Sequence, residues 1–224
     1  MVWDPVWEQI FSSRAWGRYP GEDFIRFVAQ NYYRVPDRSA VRILELGCGP
    51  GVNMWFLARE GLGFTGVDGS RSALDIASQR LDQECPGWQA RGNLVLGDFA
   101  ATVEAQTGFD AVIDSEAVCC NSYEESVAIY RRAAESLKPG GRIFVRTFAT
   151  GTWGEGTGEK LGRDCWRCTV GPLGNTGSVR FTPREDIEEL LGAFDLTSVD
   201  LITRTVGGTT NTIREWIVSG IKKT

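Results

Sequence analysis

The residues of this chain best placed to do chemistry lie in the run 41–51, Val-Arg-Ile-Leu-Glu-Leu-Gly-Cys-Gly-Pro-Gly. A short apolar segment ends at Leu46 and breaks into glycines at alternate positions, Gly47, Gly49 and Gly51. Lacking a Cβ, each glycine lets the backbone come close to a ligand. A helical pattern begins at once after them, so the glycines form a strand-to-helix turn. The free N–H groups of the helix start then face whatever lies in that turn. Asp68 ends the next strand-like run, Gly-Phe-Thr-Gly-Val-Asp. A carboxylate there is placed to accept the hydroxyls of an adenosine ribose.

Two cofactor classes use this geometry. The dinucleotide fingerprint needs a third glycine at position 52, where this chain has Val52. The Tyr-x-x-x-Lys pair of many nicotinamide enzymes is also missing. The alternating glycines, with Glu45 two residues before the first, resemble the E/D-x-G-x-G-x-G motif of the class I S-adenosylmethionine-dependent methyltransferases. Four later segments follow in the family's order: 67–81 opening on Asp68, 93–100 with Asp98 and Phe99, 109–122 with Asp114, and 136–148 with Leu-Lys-Pro-Gly-Gly.

The resemblance implies a Rossmann-like α/β three-layer sandwich. Its sheet would be mostly parallel and seven-stranded, with an antiparallel C-terminal strand pair. It implies S-adenosyl-L-methionine as cofactor, held by Glu45, Gly47, Cys48 and Gly49 in the first motif. Asp68 and Gly69 would lie at the ribose, Asp98 and Phe99 at the adenine, and Asp114 and Ser115 beside the methionine part. Asp114 and Glu116 are the candidate catalytic groups, able to take a proton if burial raises their pKa. Cys120 and Asn121 follow on the substrate side, where many related sequences carry a histidine-asparagine pair. This chain has no histidine at all, so the commonest near-neutral base is absent. Either a carboxylate takes the proton or the acceptor needs no strong base.

The elements that position these groups can be read in order. Apolar stripes at Trp3, Trp7, Ile10 and Phe11, and at Phe24, Ile25, Phe27 and Val28, predict two helices, so 1–40 reads as a helical lid. The linker between them offers Arg18 and Tyr19 to the substrate. Alternating strands and helices then predict a mostly parallel sheet. Ser70 is expected to cap the helix after Asp68. Ser122 with Glu125, and Thr182 with Glu185, read as capping boxes. Residues 195–205 and 212–223 read as two final strands. The segment 149–181 holds eight glycines, too many residues for an ordinary connection. It reads as a substrate-side loop, with Trp153 as its candidate contact.

Composition narrows the function. The 224 residues suit one domain, 1–224, and the 42% hydrophobic and 24% charged content is that of an ordinary globular protein. A net charge of −5 without any basic run argues against a nucleic-acid partner. No apolar stretch is long enough for a membrane span, and the first residues do not read as a secretory signal, so a cytoplasmic protein is expected. Cys165-x-x-Cys168 is half of a zinc spacing without a second half, and no metal is expected. These features predict a methyltransferase acting on a small molecule of sugar, lipid-precursor or secondary-metabolite type, as a monomer or homodimer. A protein methyltransferase and a non-catalytic methyltransferase-like partner subunit are the alternatives.

Overall fold

The computed structural model describes residues 3–103 and 107–224. Met1 and Val2, at the start of the expected lid, lie outside the described residues. Strands β1 (Arg42–Leu46), β2 (Gly63–Asp68), β3 (Gly92–Leu96), β4 (Phe109–Ser115) and β5 (Leu137–Phe148) pair in parallel. Strands β9 (Phe194–Val206) and β10 (Asn211–Lys222) pair antiparallel with each other, and β10 pairs antiparallel with β5. The sheet order is β3-β2-β1-β4-β5-β10-β9. The chain therefore winds outward from β1 to β3 and returns to β4 on the other side of β1. Such a switch point opens a crevice at the carboxyl ends of β1 and β4.

Residue alternation within the strands builds the two flanking layers. Ile43, Ala111, Ile113, Phe144 and Ile217 pack on one side with α2 (Glu22–Tyr32), α3 (Val52–Arg59) and α4 (Arg71–Glu84). Leu44, Leu46, Val112, Ile143, Val145, Trp216 and Val218 pack on the other with α6 (Tyr123–Ser136) and α7 (Ile187–Leu190). Both faces of the central strands are covered, which is why β1 and β4 carry apolar residues on both faces, Ile43 and Leu44 in one and Ala111 and Val112 in the other. Each fully buried Leu or Ile stabilises the fold by about 1.5–3 kcal/mol relative to exposure. Helix α1 (Val6–Ser13) and the short α5 (Phe99–Thr102) are the remaining α-helices among the described residues.

Local signals are met where the side chain was free to reach the backbone. The Ser70 hydroxyl accepts from the Ala73 N–H at 3.1 Å at the start of α4. Ser122 and Glu125 form the expected capping box at α6. Thr182 does not cap. Pro183 precedes a short 3-10 turn with no side-chain cap, and the Thr182 hydroxyl accepts instead from Arg180 at 2.8 Å. A buried guanidinium outcompetes a solvent-facing helix end for that oxygen. Pro139-Gly140-Gly141 lies inside β5 rather than before it, and the β4–β5 register slips between Phe109 and Ala111 to accommodate it.

The glycine-rich segment is not an open loop. It folds into a three-stranded antiparallel sheet of β6 (Glu159–Gly162), β7 (Cys165–Arg167) and β8 (Val179–Arg180). Phe148, Val179, Phe181 and Ile213 form a small core beneath it with Cys119 and Cys168. Among the described residues no helix is long and apolar enough to cross a membrane.

Gly51 holds α3 against α4. Its φ is 73°, and a Cβ there would lie 2.6 Å from the Ala77 Cβ. Gly51→Ala is expected to lower stability in urea unfolding by about 1–3 kcal/mol, from backbone strain and collision. Gly162→Ala, where a Cβ meets nothing within 4 Å, is expected to change it by less than about 0.5 kcal/mol. Equal effects of the two would contradict the packing described.

Candidate functional site

The three glycines of the turn all adopt left-handed backbone, with φ of 66° at Gly47, 50° at Gly49 and 73° at Gly51. This folds the backbone tightly around Asp68, only 6% exposed at the end of β2. The Gly49 N–H donates to Asp68 Oδ2 and the Ser70 N–H to Oδ1, both at 2.8 Å. Burial raises the Asp68 pKa, and these two N–H groups work against the rise. The carboxylate is thus fixed in direction and keeps lone pairs for a further donor.

Glu45 lies on the neighbouring strand β1 and is 2% exposed. Its Oε1 accepts from Asn53 at 2.5 Å, and the same Asn53 amide reaches the Ser115 hydroxyl at 3.1 Å. Its Oε2 has no hydrogen-bond partner among the described residues. Burial, aided by the charges of Asp114 and Asp68 and opposed by Asn53, pushes Glu45 up to about 8. A buried carboxylate oxygen left unpaired is costly, and a ligand ammonium would satisfy it.

A cavity of about 390 Å³ connects these groups. Glu45, Gly47, Cys48, Gly49, Asp68, Gly69, Asp98, Phe99 and Ser115, all expected at the cofactor, line it. Asp98 caps α5, accepting from the Ala100 N–H at 2.9 Å, which turns Phe99 to the same wall. Glu116, Tyr19, Cys120 and Asn121 line it as well. These residues fit an adenosyl amino acid: a fixed acid for ribose hydroxyls, a bare glycine turn, and an unpaired carboxylate oxygen for an ammonium.

Helix α1 lies over the turn. The Phe11 ring would sit 3.4 Å from a Cβ on Gly49, and the Trp3 ring 2.2 Å from one on Gly69. Glu8 anchors the helix, accepting from the Ser70 hydroxyl at 2.6 Å and from the Ser72 hydroxyl. Those two hydroxyls hold its pKa low. Trp7, Phe11, Trp16, Tyr19, Phe24 and Phe144 give the cavity an aromatic wall.

Three expected site residues lie elsewhere. Asp114 does not line the cavity and is fully buried. Its Oδ1 accepts from the Ala117 and Val118 N–H groups at 2.9 and 3.0 Å, and its Oδ2 from the Tyr130 hydroxyl at 2.6 Å. It pins the turn after β4 rather than meeting a ligand. Arg18 pairs with Glu84 at 2.6 Å on the surface, with its side chain 64% exposed. Trp153 lines a separate crevice with Phe148, Cys168 and Val170, its backbone bonded to Thr212. Cys165 and Cys168 are free and buried, and among the described residues no three His, Cys, Asp or Glu side chains form a group able to hold a metal.

Sequence reasoning missed Asn53, Arg146, Arg204 and Leu173, which also line the cavity. Arg146 carried a signal: it is a charge inside the apolar run Ile-Phe-Val-Arg-Thr-Phe of β5.

Comparison with known proteins points to methyltransferases. Residues 43–141 match a family model described as a methyltransferase domain. The chain is 30% identical over 174 residues to a cypemycin N-terminal methyltransferase from a Streptomyces species, covering 75% of this chain and 62% of that protein. It is 30% identical over 124 residues to a ubiquinone biosynthesis O-methyltransferase of Methylobacterium nodulans, covering 54% of this chain and 47% of that protein. It is 35% identical over 95 residues to an 18S rRNA (guanine-N(7))-methyltransferase of Bos taurus, covering 41% of this chain and 31% of that protein. The chain thus spans from about a third to under two thirds of these relatives' lengths. In fold it resembles a SAM-dependent methyltransferase of Methanosarcina mazei, with TM-score 0.68, 18% identity, and coverage of 87% of this chain and 96% of that one. Residues 43–141 thus carry a methyltransferase domain, in the Rossmann-like fold shared with S-adenosylmethionine-dependent methyltransferases.

Proposed function

We propose that this protein transfers a methyl group from S-adenosylmethionine to a small-molecule acceptor. The observation that carries this reading is the roofed cavity. It runs from Asp68 to Glu116, Cys120 and Asn121, and α1 with the following linker closes it above. A concave, largely aromatic chamber of this kind suits a small-molecule ligand. The rRNA relative aligns with only 95 residues of this chain, and the net charge of −5 disfavours a polyanion.

The chain's own groups would work as follows. Asp68, fixed by Gly49 and Ser70, receives the ribose hydroxyls. Asp98 and Phe99 flank the adenine, while the open turn at Gly47 and Gly49 lets backbone approach the amino-acid part. Glu45 Oε2 accepts from its ammonium. When bound, the cofactor supplies a methyl group already activated on sulfur, so the protein's task is orientation in a dry site. The aromatic wall excludes water, and Glu116 is the carboxylate placed at the acceptor end.

In calorimetry, S-adenosylmethionine and S-adenosylhomocysteine are expected to bind at micromolar level and NAD not at all. Asp68→Ala should weaken both adenosyl ligands by about 10- to 100-fold, the loss of charge-assisted hydrogen bonds. Binding of NAD alone, or of none, would contradict the reading. Cell extract incubated with the enzyme and methyl-labelled cofactor should carry label in its low-mass fraction. Label confined to macromolecules would instead support a protein or RNA acceptor.

Glu45 predicts a pH effect on the ligand-free protein. Its folded value near 8 stands above its ordinary 4.5, so between these values the folded chain holds a proton that the unfolded chain has lost. This stabilisation is complete below about pH 4.5 and is lost as pH rises through about 8. Glu45→Gln should flatten the fall in melting temperature across that window. Saturating S-adenosylhomocysteine should flatten it too, because its ammonium favours the ionised carboxylate.

A further inference from the structure

The acceptor end of the cavity carries a charge arrangement that methyl transfer alone does not require. Glu116 follows β4 with φ of 62°, a left-handed conformation unusual for a residue with a side chain. Its carboxylate lines the cavity, and its Oε1 lies 3.2 Å from Arg146 Nε. Arg146 does not answer Glu116 alone. Its Nε and Nη2 form a fork onto Glu215, 1% exposed on the adjacent β10, at 2.8–2.9 Å. The guanidinium charge is thereby matched by Glu215 before Glu116 is counted. Arg204 approaches Glu215 at 3.7 Å but is 54% exposed, where solvent screens it.

Across the whole cavity, five acids face two arginines: Asp4, Glu45, Asp68, Asp98 and Glu116 against Arg146 and Arg204. Aromatic faces and carboxylates together are the surroundings that bind an ammonium group. An anionic acceptor would meet repulsion here, and no histidine is available to activate a hydroxyl.

We propose that the acceptor is an amine, and that Glu116, positioned by Arg146 and Glu215, receives its ammonium and takes its proton. This rests on the methyl-transfer reading. The step balances. Ionised Glu116 takes one N–H proton, which frees the nitrogen lone pair. That pair forms the new N–C bond as the S–C bond breaks, and the S–C electrons stay on sulfur. The product is again an ammonium, and Glu116 later gives its proton to solvent. The surroundings suit this exchange. Burial, and then the hydrogen bond and charge of Glu215, push Glu116 upward against the pull of Arg146, while Glu215 is held low. A carboxylate so raised approaches the range of amines, whose ammonium forms lose a proton near 8 to 10.4. It remains far too weak a base for an alcohol.

Sinefungin tests this without turnover, because it carries an amine where the cofactor carries its methylated sulfur. At pH 8.5 it is expected to bind about ten-fold tighter than S-adenosylhomocysteine, the worth of one charge-assisted hydrogen bond. Glu116→Gln should remove that ratio while leaving S-adenosylhomocysteine affinity within about two-fold. In the wild type the ratio should fall as pH drops and Glu116 protonates. Glu215→Gln should move that fall to lower pH, a shift that a merely structural role of Glu215 would not produce. The low-mass labelled product should carry its methyl on nitrogen. Equal binding of the two ligands in the wild type, equal losses in Glu116→Gln, or label on oxygen or carbon would overturn the inference. Failure of both ligands to bind would remove the methyl-transfer reading itself.

Discussion

The Asp68 carboxylate, buried and clamped between the N–H groups of Gly49 and Ser70, is the interaction on which the rest of the site depends. A charged group at 6% exposure persists only where backbone donors compensate it. Those donors must come from two turns at once, so the turn after β1 has to fold back toward the end of β2. Left-handed backbone makes that path, with φ of 66° at Gly47 and 50° at Gly49, a conformation that glycine adopts without steric cost. The same path places Glu45 under the turn, leads α3 away from it, and leaves the edge that Phe11 and Trp3 cover. The parallel pairing of β1 with β2, Leu46 opposite Val67, holds the two turns side by side.

Most of the cofactor half was legible because it is written locally. The glycine turn, Asp68, the Ser70 cap and the Asp98–Phe99 corner each depend on residues a few positions apart, and each falls where the spacing puts it. Alternating strands and helices led to the mostly parallel sheet, and the family resemblance to its seven strands with an antiparallel pair at the edge. What failed was whatever needed a distant partner. An acid at a strand end reads the same whether it meets a ligand or pins backbone. Asp114 is decided by Tyr130, sixteen residues on, whose hydroxyl donates to it at 2.6 Å. Arg18 is drawn outward by Glu84, sixty-six residues away. Thr182 is taken by Arg180 before it can cap a helix. The three-stranded sheet in the glycine-rich segment carries no clean alternation, and β6 is exposed along its length.

The proposed acceptor half is assembled from pieces far apart in sequence. Glu116 comes from the end of β4, Arg146 from β5, Glu215 from β10, and the aromatic wall from the first two helices, the linker between them and β5. Antiparallel pairing of β5 with β10 is what brings Arg146 and Glu215 together, with Arg146 opposite Ile217 in register. The cofactor half is therefore fixed by a motif and the acceptor half by topology. This division lets one family keep its cofactor while its acceptors vary, since function resides in the site more than in the fold. In this chain the proposed acceptor half is aromatic, and its one lining carboxylate, Glu116, is held by an arginine already committed to Glu215.

The most direct test of the central claim is a crystal structure of the protein with S-adenosylhomocysteine. The account predicts the ribose hydroxyls on Asp68, the amino-acid ammonium on Glu45 Oε2, and the sulfur turned toward Glu116, with Asp114 still bonded to Tyr130. A ligand bound outside this cavity, or one that leaves Asp68 bonded only to Gly49 and Ser70, would contradict it.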